Sequence, residues 1–405
     1  MNSDKTQDII SKLYMRESWD EYLRHKKEAG YTSIAEIKEI EAYIEGGTFP
    51  VDVDKLLDDT PVPARKEIAK GGSLKKRVIY TYDEPVNIIL KLIAFLLYRY
   101  DGIFSDNCYA FRRKTGAGDA IRYLKNRKCL SDKFFLKVDI SNYFNSIDAE
   151  RLILKLGFLK DRDERLLELF ERLLRDKRAI KNAEIIVEDR GAMAGVPVAS
   201  FFANVYMMDV DRLFFESGDT YFRYSDDILI FADTEEELCK LRERLFSLIR
   251  DLGLNLNEDK LCYGKPGESY EFLGFTFDNG TIDISSNAKR KLMAKIRRKA
   301  RALRRWGFGR NFSMDKAAKG FIRAMNRKLF TYDEDGFSWT GWYFPYINTD
   351  RSLHELDLYI QQYARYIISG KHRAANYRTR YETLKEWGYR SLVNEYYKFR
   401  ERPDS

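Results

Sequence analysis

Tyr221-Phe222-Arg223-Tyr224-Ser225-Asp226-Asp227-Ile228-Leu229-Ile230-Phe231-Ala232 is the stretch that decides the fold. Its apolar residues alternate around a tight acidic centre, the spacing of a β-hairpin. Two adjacent aspartates in an otherwise apolar hairpin are costly unless something compensates their charge. Taken alone, Ser225-Asp226-Asp227 reads as a polar hairpin tip; the surrounding pattern argues for more.

Upstream, Phe134-Phe135-Leu136-Lys137-Val138-Asp139-Ile140 is an apolar strand ending in an acid. If that strand lies beside the hairpin, Asp139 and Asp226 can share two divalent ions, and at a hairpin tip Asp227 can reach the same point. Hard carboxylate oxygens suit Mg²⁺, which also takes phosphate oxygens. Two such ions about 3.5–4 Å apart would activate a 3′-hydroxyl and stabilise a departing pyrophosphate.

The rest of the chain reads as α+β with a helical C-terminal portion. Helical spacing covers 1–45, where Ser33-Ile34-Ala35-Glu36 looks like a capping box. A glycine turn at Gly71-Gly72 feeds the basic strand Lys75–Tyr80. Helices are expected at 85–100, 149–178, 198–215 and 235–252, and strands at 270–277 and 280–284. From Ala288 onward the pattern is mostly helical, interrupted by an aromatic loop at Tyr332–Tyr346.

Among 405 residues, 71 Lys+Arg face 63 Asp+Glu, a net charge of +8. The excess is uneven: from Ser286 on, 27 basic residues meet 12 acidic ones, whereas the first 285 residues carry 44 and 51. A basic C-terminal third on a slightly acidic body suggests a polyanion-binding surface. Four cysteines without a CxxC pair and three scattered histidines exclude an evident zinc or disulfide framework. The most apolar run, Ile88–Tyr98, is too short to span a bilayer. The polar start, Asn2-Ser3-Asp4-Lys5, lacks a signal-peptide core, so a reducing, cytoplasmic setting is expected.

Over roughly residues 60–400 the chain resembles prokaryotic reverse transcriptases. Phe135–Ile147 looks like their first palm motif, and Tyr224-Ser225-Asp226-Asp227 matches YxDD. Gly195-Val196-Pro197-Val198-Ala199-Ser200-Phe201-Phe202-Ala203-Asn204-Val205-Tyr206 resembles the motif between them. Asn255-Leu256-Asn257 with Lys260 resembles the next palm element, and Phe272-Leu273-Gly274-Phe275 the primer grip. Asn107–Arg112 with Asp119-Ala120-Ile121, and Lys75–Tyr80 before it, resemble fingers segments.

The resemblance implies a right-hand polymerase fold: an N-terminal helical extension (1–60), fingers (61–133), a palm with an antiparallel sheet (134–284, with a fingers insertion at about 149–190), a helical thumb (285–330) and a helical C-terminal region (331–405). It implies Asp139, Asp226 and Asp227 as catalytic residues. With Ile140 they would hold two Mg²⁺ ions, or Mn²⁺ in their place. Phe144 takes the steric-gate position, where a flat ring excludes a ribose 2′-hydroxyl. Arg77 and Arg112 are candidates for holding the triphosphate, because a guanidinium offers several fixed donors. Gly195 and Lys260 join the nucleotide site, and Phe272, Leu273 and Gly274 the primer site. The implied partners are an RNA template, in particular a small non-coding RNA, deoxynucleoside triphosphates and a cDNA product.

One departure is informative. Ala194 stands before Gly195, where many family members carry glutamine. This shifts the resemblance away from group II intron enzymes and toward defence-associated bacterial ones, the abortive-infection and unknown-group enzymes among them. The tail Trp387–Tyr397 resembles tails of that branch. A retron or mobile-element enzyme is the second reading, although the Val-Thr-Gly signature usual in retrons is not found. Template-independent synthesis and a catalytically silent RNA-binding scaffold are further alternatives; the intact acids argue against the last. No RNase H-like acidic set and no HNH-like Cys/His site follows the palm motifs.

Residues 289–310 hold 11 Lys or Arg and no acid. Leu292, Ile296, Leu303 and Trp306 can form an apolar stripe, leaving basic residues such as Arg297, Arg298, Arg301 and Arg305 to lie along a duplex backbone. The later aromatics, among them Trp339, Trp342, Tyr343, Tyr359, Tyr363, Tyr377 and Tyr389, can either stack on unpaired bases or pack a helical core.

Overall fold

The computed structural model describes residues 8–28, 32–69, 76–310, 313–332, 338–371 and 379–402. The turn expected at Gly71-Gly72, with Lys75, Asn2–Lys5, His372 and Tyr377, lies outside the described residues. The chain forms two compact units, one of residues 1–29 and 35–267, the other of 30–34 and 268–405.

The first unit begins with helices α1 (Ile9–Leu13), α2 (Arg16–Glu28), α3 (Ile34–Gly46) and α4 (Phe49–Asp58). Strands β1 (Ala64–Ala69) and β2 (Lys76–Thr81) follow, then α5 (Val86–Leu96) and α6 (Ala117–Asn126), and then β3 (Phe134–Asp139). Next come α7 (Tyr143–Ser146), α8 (Ala149–Lys155), α9 (Glu164–Arg175), β4 (Arg178–Lys181), β5 (Glu184–Val187) and α10 (Ala199–Glu216). The unit closes with β6 (Thr220–Tyr224), β7 (Asp227–Ala232), α11 (Glu235–Asp251) and β8 (Cys262–Gly264).

The site is positioned by the sheet β6-β7-β3-β8. All its pairings are antiparallel, and β3 runs through its middle. Leu136 and Val138 are buried, as are Ile228, Leu229 and Ile230, and β3 pairs with β7 in one unbroken register from Phe134 opposite Ala232 onward. That register sets Asp139 opposite Asp227. Helix α10 packs against β6 and is buried over most of its circumference. Helix α11 starts at Thr234, whose side chain accepts from the Glu237 N–H, with Glu235, Glu236 and Glu237 in the first turn, where the helix dipole favours negative charge.

The helix expected across 149–178 is two helices followed by a strand. The amphipathic run ends at Arg175, and Arg178 already belongs to β4. Strands β4 and β5 turn through Asn182 and Ala183, at φ +52° and +66°. Lys181 pairs with Glu184, a two-residue hairpin of the type that needs left-handed residues. Strand β4 then adds to β1, completing the sheet β2-β1-β4-β5.

The second unit holds β9 (Tyr270–Phe272), β10 (Phe275–Asp278), β11 (Thr281–Ile284), α12 (Ser286–Gly309), α13 (Met314–Phe330), α14 (Trp339–Tyr343), α15 (Arg351–Ser369), α16 (Tyr381–Glu386) and α17 (Leu392–Arg400). The boundary falls at 267/268, ahead of the strands that sequence reading placed in the palm. The single strand expected at 270–277 is two, because Leu273 and Gly274 adopt φ +50° and +89° and Phe272 pairs with Phe275.

On α12 the buried line is Leu292, Ile296, Ala300 and Gly307. Leu303 is half-buried, and Trp306 is exposed rather than part of the stripe. A Cβ on Gly307 would sit 3.3 Å from the Ala317 Cβ, so α12 and α13 approach closely at this point. Of the aromatics with two readings, Trp339, Tyr343, Tyr363 and Tyr389 are buried and pack the core, as do Phe344 and Tyr396, whereas Trp342 and Tyr359 are half-buried. Asp357 on α15 ties the C-terminal segment down. It accepts from Tyr389 Oη at 2.6 Å, Ser391 Oγ at 2.6 Å and the N–H groups of Leu392 and Val393 at 2.8 and 3.1 Å.

Candidate active site

Strands β6 and β7 are joined by a two-residue turn, Ser225-Asp226, with Tyr224 paired to Asp227. Ser225 is buried and left-handed at φ +61°. The Ile140 N–H donates to the Asp226 carbonyl at 3.0 Å, which stitches the turn to the end of β3. Asp139 and Asp227 face each other across the two strands.

Asp139 is 5% exposed and has two side-chain partners. Asn257 Nδ2 donates to Oδ1 at 3.1 Å, and Lys260 Nζ reaches Oδ2 at 2.6 Å. The backbone locks the same segment in place: the Asn257 N–H donates to the Asp139 carbonyl, and the Ser141 N–H to that of Asn255, both at 2.8 Å. Lys137, two residues before Asp139 and so on the same strand face, stands 3.8 Å from Asp227.

Burial raises the Asp226 pKa above its ordinary value, and the Asp139 charge adds to the shift. Asp227 is likewise pushed up by burial, with Lys137 opposing and Asp226 and Asp139 adding. The site thus carries negative charge that the protein alone does not fully neutralise. Among the described residues no group of three or more His, Cys, Asp or Glu stands close enough to enclose a metal ion by itself. The donor set nevertheless fits a hard divalent cation: three aspartates meet only two lysines here, Lys137 and Lys260, and carboxylate oxygens are the ligands such an ion takes.

Phe144 lies in α7, just beyond the strand end, half-buried. Its ring meets Phe111 edge-on at 6.0 Å, and Phe111 meets Tyr224 at 6.3 Å, so an aromatic row links it to the hairpin. Asn145 holds this helix to two other segments. Its Nδ2 donates to the Val78 carbonyl of β2 at 3.1 Å, and its Oδ1 accepts from the Ala194 N–H at 2.9 Å.

Gly195 has a steric task at φ +102°: a Cβ there would lie 2.9 Å from the Tyr80 carbonyl oxygen. Arg77 is exposed on β2. Arg112 differs from its expected role. Its Nη1 donates to the carbonyls of Ser105 and Cys108 at 2.9 and 3.2 Å, and its Nη2 to that of Asp101 at 3.3 Å. Three of the five guanidinium N–H groups thus brace its own loop.

The remaining candidates belong to the second unit. Phe272 is fully buried, and Leu273-Gly274 form the β9–β10 turn. Arg297, Arg298, Arg301 and Arg305 are exposed on α12. Arg304 instead donates to the Tyr366 and Ile367 carbonyls at the end of α15. Between α12 and α13 runs a cleft of about 770 Å³ carrying Lys295, Arg298, Lys299, Arg327, Lys328 and Tyr332, with no acid among the described residues that line it.

Sequence reading assigned no role to Lys137, Asn145, Arg223 or Asp211, and none to the Asn257 side chain. Lys137 was detectable, because strand periodicity puts it beside Asp139. Arg223 was detectable as the lone charge in an apolar strand. Asp211 gave no signal, since only the packing of α10 on β6 brings it to Arg223.

Residues 68–277, just over half of the chain, match the family described as reverse transcriptase (RNA-dependent DNA polymerase), and the protein belongs to that family. Its fold class is accordingly the α+β right-hand polymerase type, and members of the family generally work with divalent metal ions. Curated relatives include the Escherichia coli retron Ec83 reverse transcriptase, 27% identical over 41% of this chain and 55% of that protein. The E. coli retron Ec86 enzyme is 24% identical over 40% and 48%, and the Myxococcus xanthus retron Mx65 enzyme 24% over 41% and 41%. The chain thus spans about half the length of the curated relatives it matches. Similar solved structures include apo telomerase from Candida tropicalis (TM-score 0.46, 11% identity, 81% of this chain and 59% of that one). Another is Candida albicans telomerase in complex with a TWJ fragment of telomeric RNA (TM-score 0.44, 13% identity, 82% and 65%). No helix among the described residues is long and apolar enough to cross a membrane.

Proposed function

We propose that the protein is an RNA-directed DNA polymerase that copies an associated non-coding RNA into cDNA from deoxynucleoside triphosphates. The observation that carries this is the meeting of Asp139 with the Asp226-Asp227 turn at the end of β3, in a chain of the reverse transcriptase family. Asp139, Asp226 and Asp227, with the Ile140 backbone, are the residues that would hold two Mg²⁺ ions, Mn²⁺ being an alternative. Such ions supply charge stabilisation of the attacking and leaving oxygens in an in-line displacement.

The chain's own residues do the rest. Asn257 and Lys260 orient the Asp139 carboxylate by binding one oxygen each. Lys260 carries a positive charge at the point where a triphosphate would approach, so it can exchange Asp139 for a phosphate oxygen as substrate enters. Phe144, held by the aromatic row and by Asn145, limits the space on the sugar side. Phe272, Leu273 and Gly274 would bear on the primer, and Arg77 stays available to a phosphate.

A role in antiviral defence rests on the resemblance to defence-associated enzymes. The retron matches favour the related reading of a retron enzyme. Purified protein with its co-purifying RNA, dNTPs and Mg²⁺ is expected to yield DNA whose sequence complements that RNA. DNA of unrelated sequence would favour template-independent synthesis, and absence of any incorporation would overturn the polymerase reading.

Two further outcomes are expected. Phe144→Ala raises ribonucleotide use by on the order of 10–10²-fold relative to dNTPs, the scale of a lost steric discrimination. The measurement is the kcat/KM ratio for dCTP against CTP, and an unchanged ratio removes Phe144 from the gate. Replacing Arg297, Arg298, Arg301 and Arg305 with Gln lowers the slope of log affinity against log salt by about 0.7–0.9 for each phosphate no longer neutralised. An unaltered slope assigns that face of α12 to solvent.

A further inference from the structure

Arg223 is fully buried, one residue before the YxDD stretch. Its partner is Asp211 on α10, also fully buried. Arg223 Nε donates to Asp211 Oδ1 at 2.8 Å and Nη2 to Oδ2 at 2.5 Å, a two-pronged pair. Burial works against the Arg223 charge, but the Asp211 carboxylate outweighs it and holds the guanidinium pKa above its ordinary value. The Tyr221 hydroxyl donates to the same Asp211 oxygen as Nε, at 2.9 Å. Asn204 Oδ1 and Cys108 Sγ take further guanidinium N–H groups at 3.4 and 3.1 Å.

Such a pair is a poor device for stability, because apolar residues of similar volume often serve as well. What it supplies here is direction. With Nε and Nη2 fixed on Asp211, Nη1 is aimed at the Ser225 carbonyl, 3.1 Å away. Ser225 is the left-handed residue of the turn, at φ +61°, a place that favours glycine. Its carbonyl shares a peptide plane with the Asp226 N–H, so fixing that oxygen fixes the plane from which Asp226 projects. On the other side, the Asp226 carbonyl is held by the Ile140 N–H at 3.0 Å. Asp226 is therefore clamped on both flanks, by the residue following β3 on one and by the Arg223–Asp211 pair on the other.

We propose that Arg223 and Asp211 are positioning residues for nucleotide addition: the buried pair holds the Ser225 carbonyl so that the Asp226 carboxylate stays beside Asp139. This rests on the polymerase reading above. Neither residue touches substrate; both act through the backbone of the turn.

The test compares Arg223→Lys, which keeps the charge and loses the fork, with Tyr221→Phe, which removes a bond to Asp211 and leaves the arm to Ser225. Arg223→Lys is expected to lower kcat by on the order of 10–10²-fold, the effect of misplacing a reacting group by a fraction of an ångström to an ångström. KM for dNTP should stay within about twofold of wild type, since the groups that bind the triphosphate are untouched. The rise in unfolding midpoint on adding Mg²⁺ should shrink, a readout independent of turnover. Tyr221→Phe should lower the midpoint while leaving kcat per folded molecule and the Mg²⁺ response intact. If Arg223→Lys does not fold, Asp211→Asn is read by the same criteria. Variants whose activity falls only with their folded fraction, with an unchanged Mg²⁺ response, overturn the positioning role. Wild-type protein that adds no nucleotide overturns the polymerase reading instead.

Discussion

Asp226→Asn is expected to abolish nucleotide addition, by on the order of 10³-fold or more in kcat, while leaving a folded protein. The substitution is nearly isosteric, so the turn and its bond from Ile140 persist. What disappears is one of the anionic oxygens that would hold a divalent ion, and Lewis-acid stabilisation of this kind contributes several kcal/mol to a phosphoryl-transfer barrier. Stability should move the other way. Burial, with the Asp139 charge, raises the Asp226 pKa in the folded chain, so the folded chain binds this proton more tightly than the unfolded chain does. Its contribution to stability is then greatest below the ordinary carboxylate range and declines as pH rises toward the shifted value. At neutral pH and without metal, the uncharged Asn should leave the unfolding midpoint equal to wild type or higher. Melting curves with and without Mg²⁺, beside primer-extension rates, check both halves. Retained extension would remove Asp226 from the reaction.

Gly191→Ala is expected to cost about 2–4 kcal/mol of stability and to relax sugar selection together. Gly191 is at φ +57°, and a Cβ there would lie 2.5 Å from the Phe144 carbonyl oxygen and 2.6 Å from the Asn145 carbonyl carbon. Those atoms are backbone, which cannot swing away as a side-chain tip can. The Ala192 N–H also donates to the Phe144 carbonyl at 2.7 Å, so displacing this stretch of chain displaces α7, the helix that carries the proposed gate residue Phe144. Gly218 provides the comparison: it has φ +73° with nothing within 4 Å of the place a methyl would take, so Gly218→Ala should cost only the left-handed penalty, about 1–2 kcal/mol. Denaturant unfolding of the two variants separates clash from backbone strain. Equal losses would mean that the packing of Gly191 on Phe144 contributes nothing.

The parts of the molecule legible in sequence are those where short-range pattern and chemistry coincide. The hairpin around Asp226 and the strand ending at Asp139 combine a short, almost continuously buried apolar run with charge at its end, so both elements and their acids stood out. The β4–β5 hairpin did not, because its left-handed turn uses Asn182-Ala183 where glycine would have been the signal. On α12, Trp306 suited the apolar stripe by type, yet the small residues Ala300 and Gly307 occupy the buried line, Gly307 where α13 comes close. Arg112 looked like a phosphate ligand because arginine is suited to one. Its commitment to three loop carbonyls depends on a fold of residues 101–112 that no local pattern encodes. The Arg223–Asp211 pair was hidden for the same reason: the ion pair exists only once α10 packs on β6.

The most direct test of the central claim is Mn²⁺ binding, followed by electron paramagnetic resonance in the presence of a non-hydrolysable deoxynucleoside triphosphate, for wild type and for Asp139→Asn. Two bound ions per wild-type chain, with at least one absent or greatly weakened in the variant, is the predicted result. Equal binding by both proteins would contradict a metal centre shared between Asp139 and the Asp226 turn.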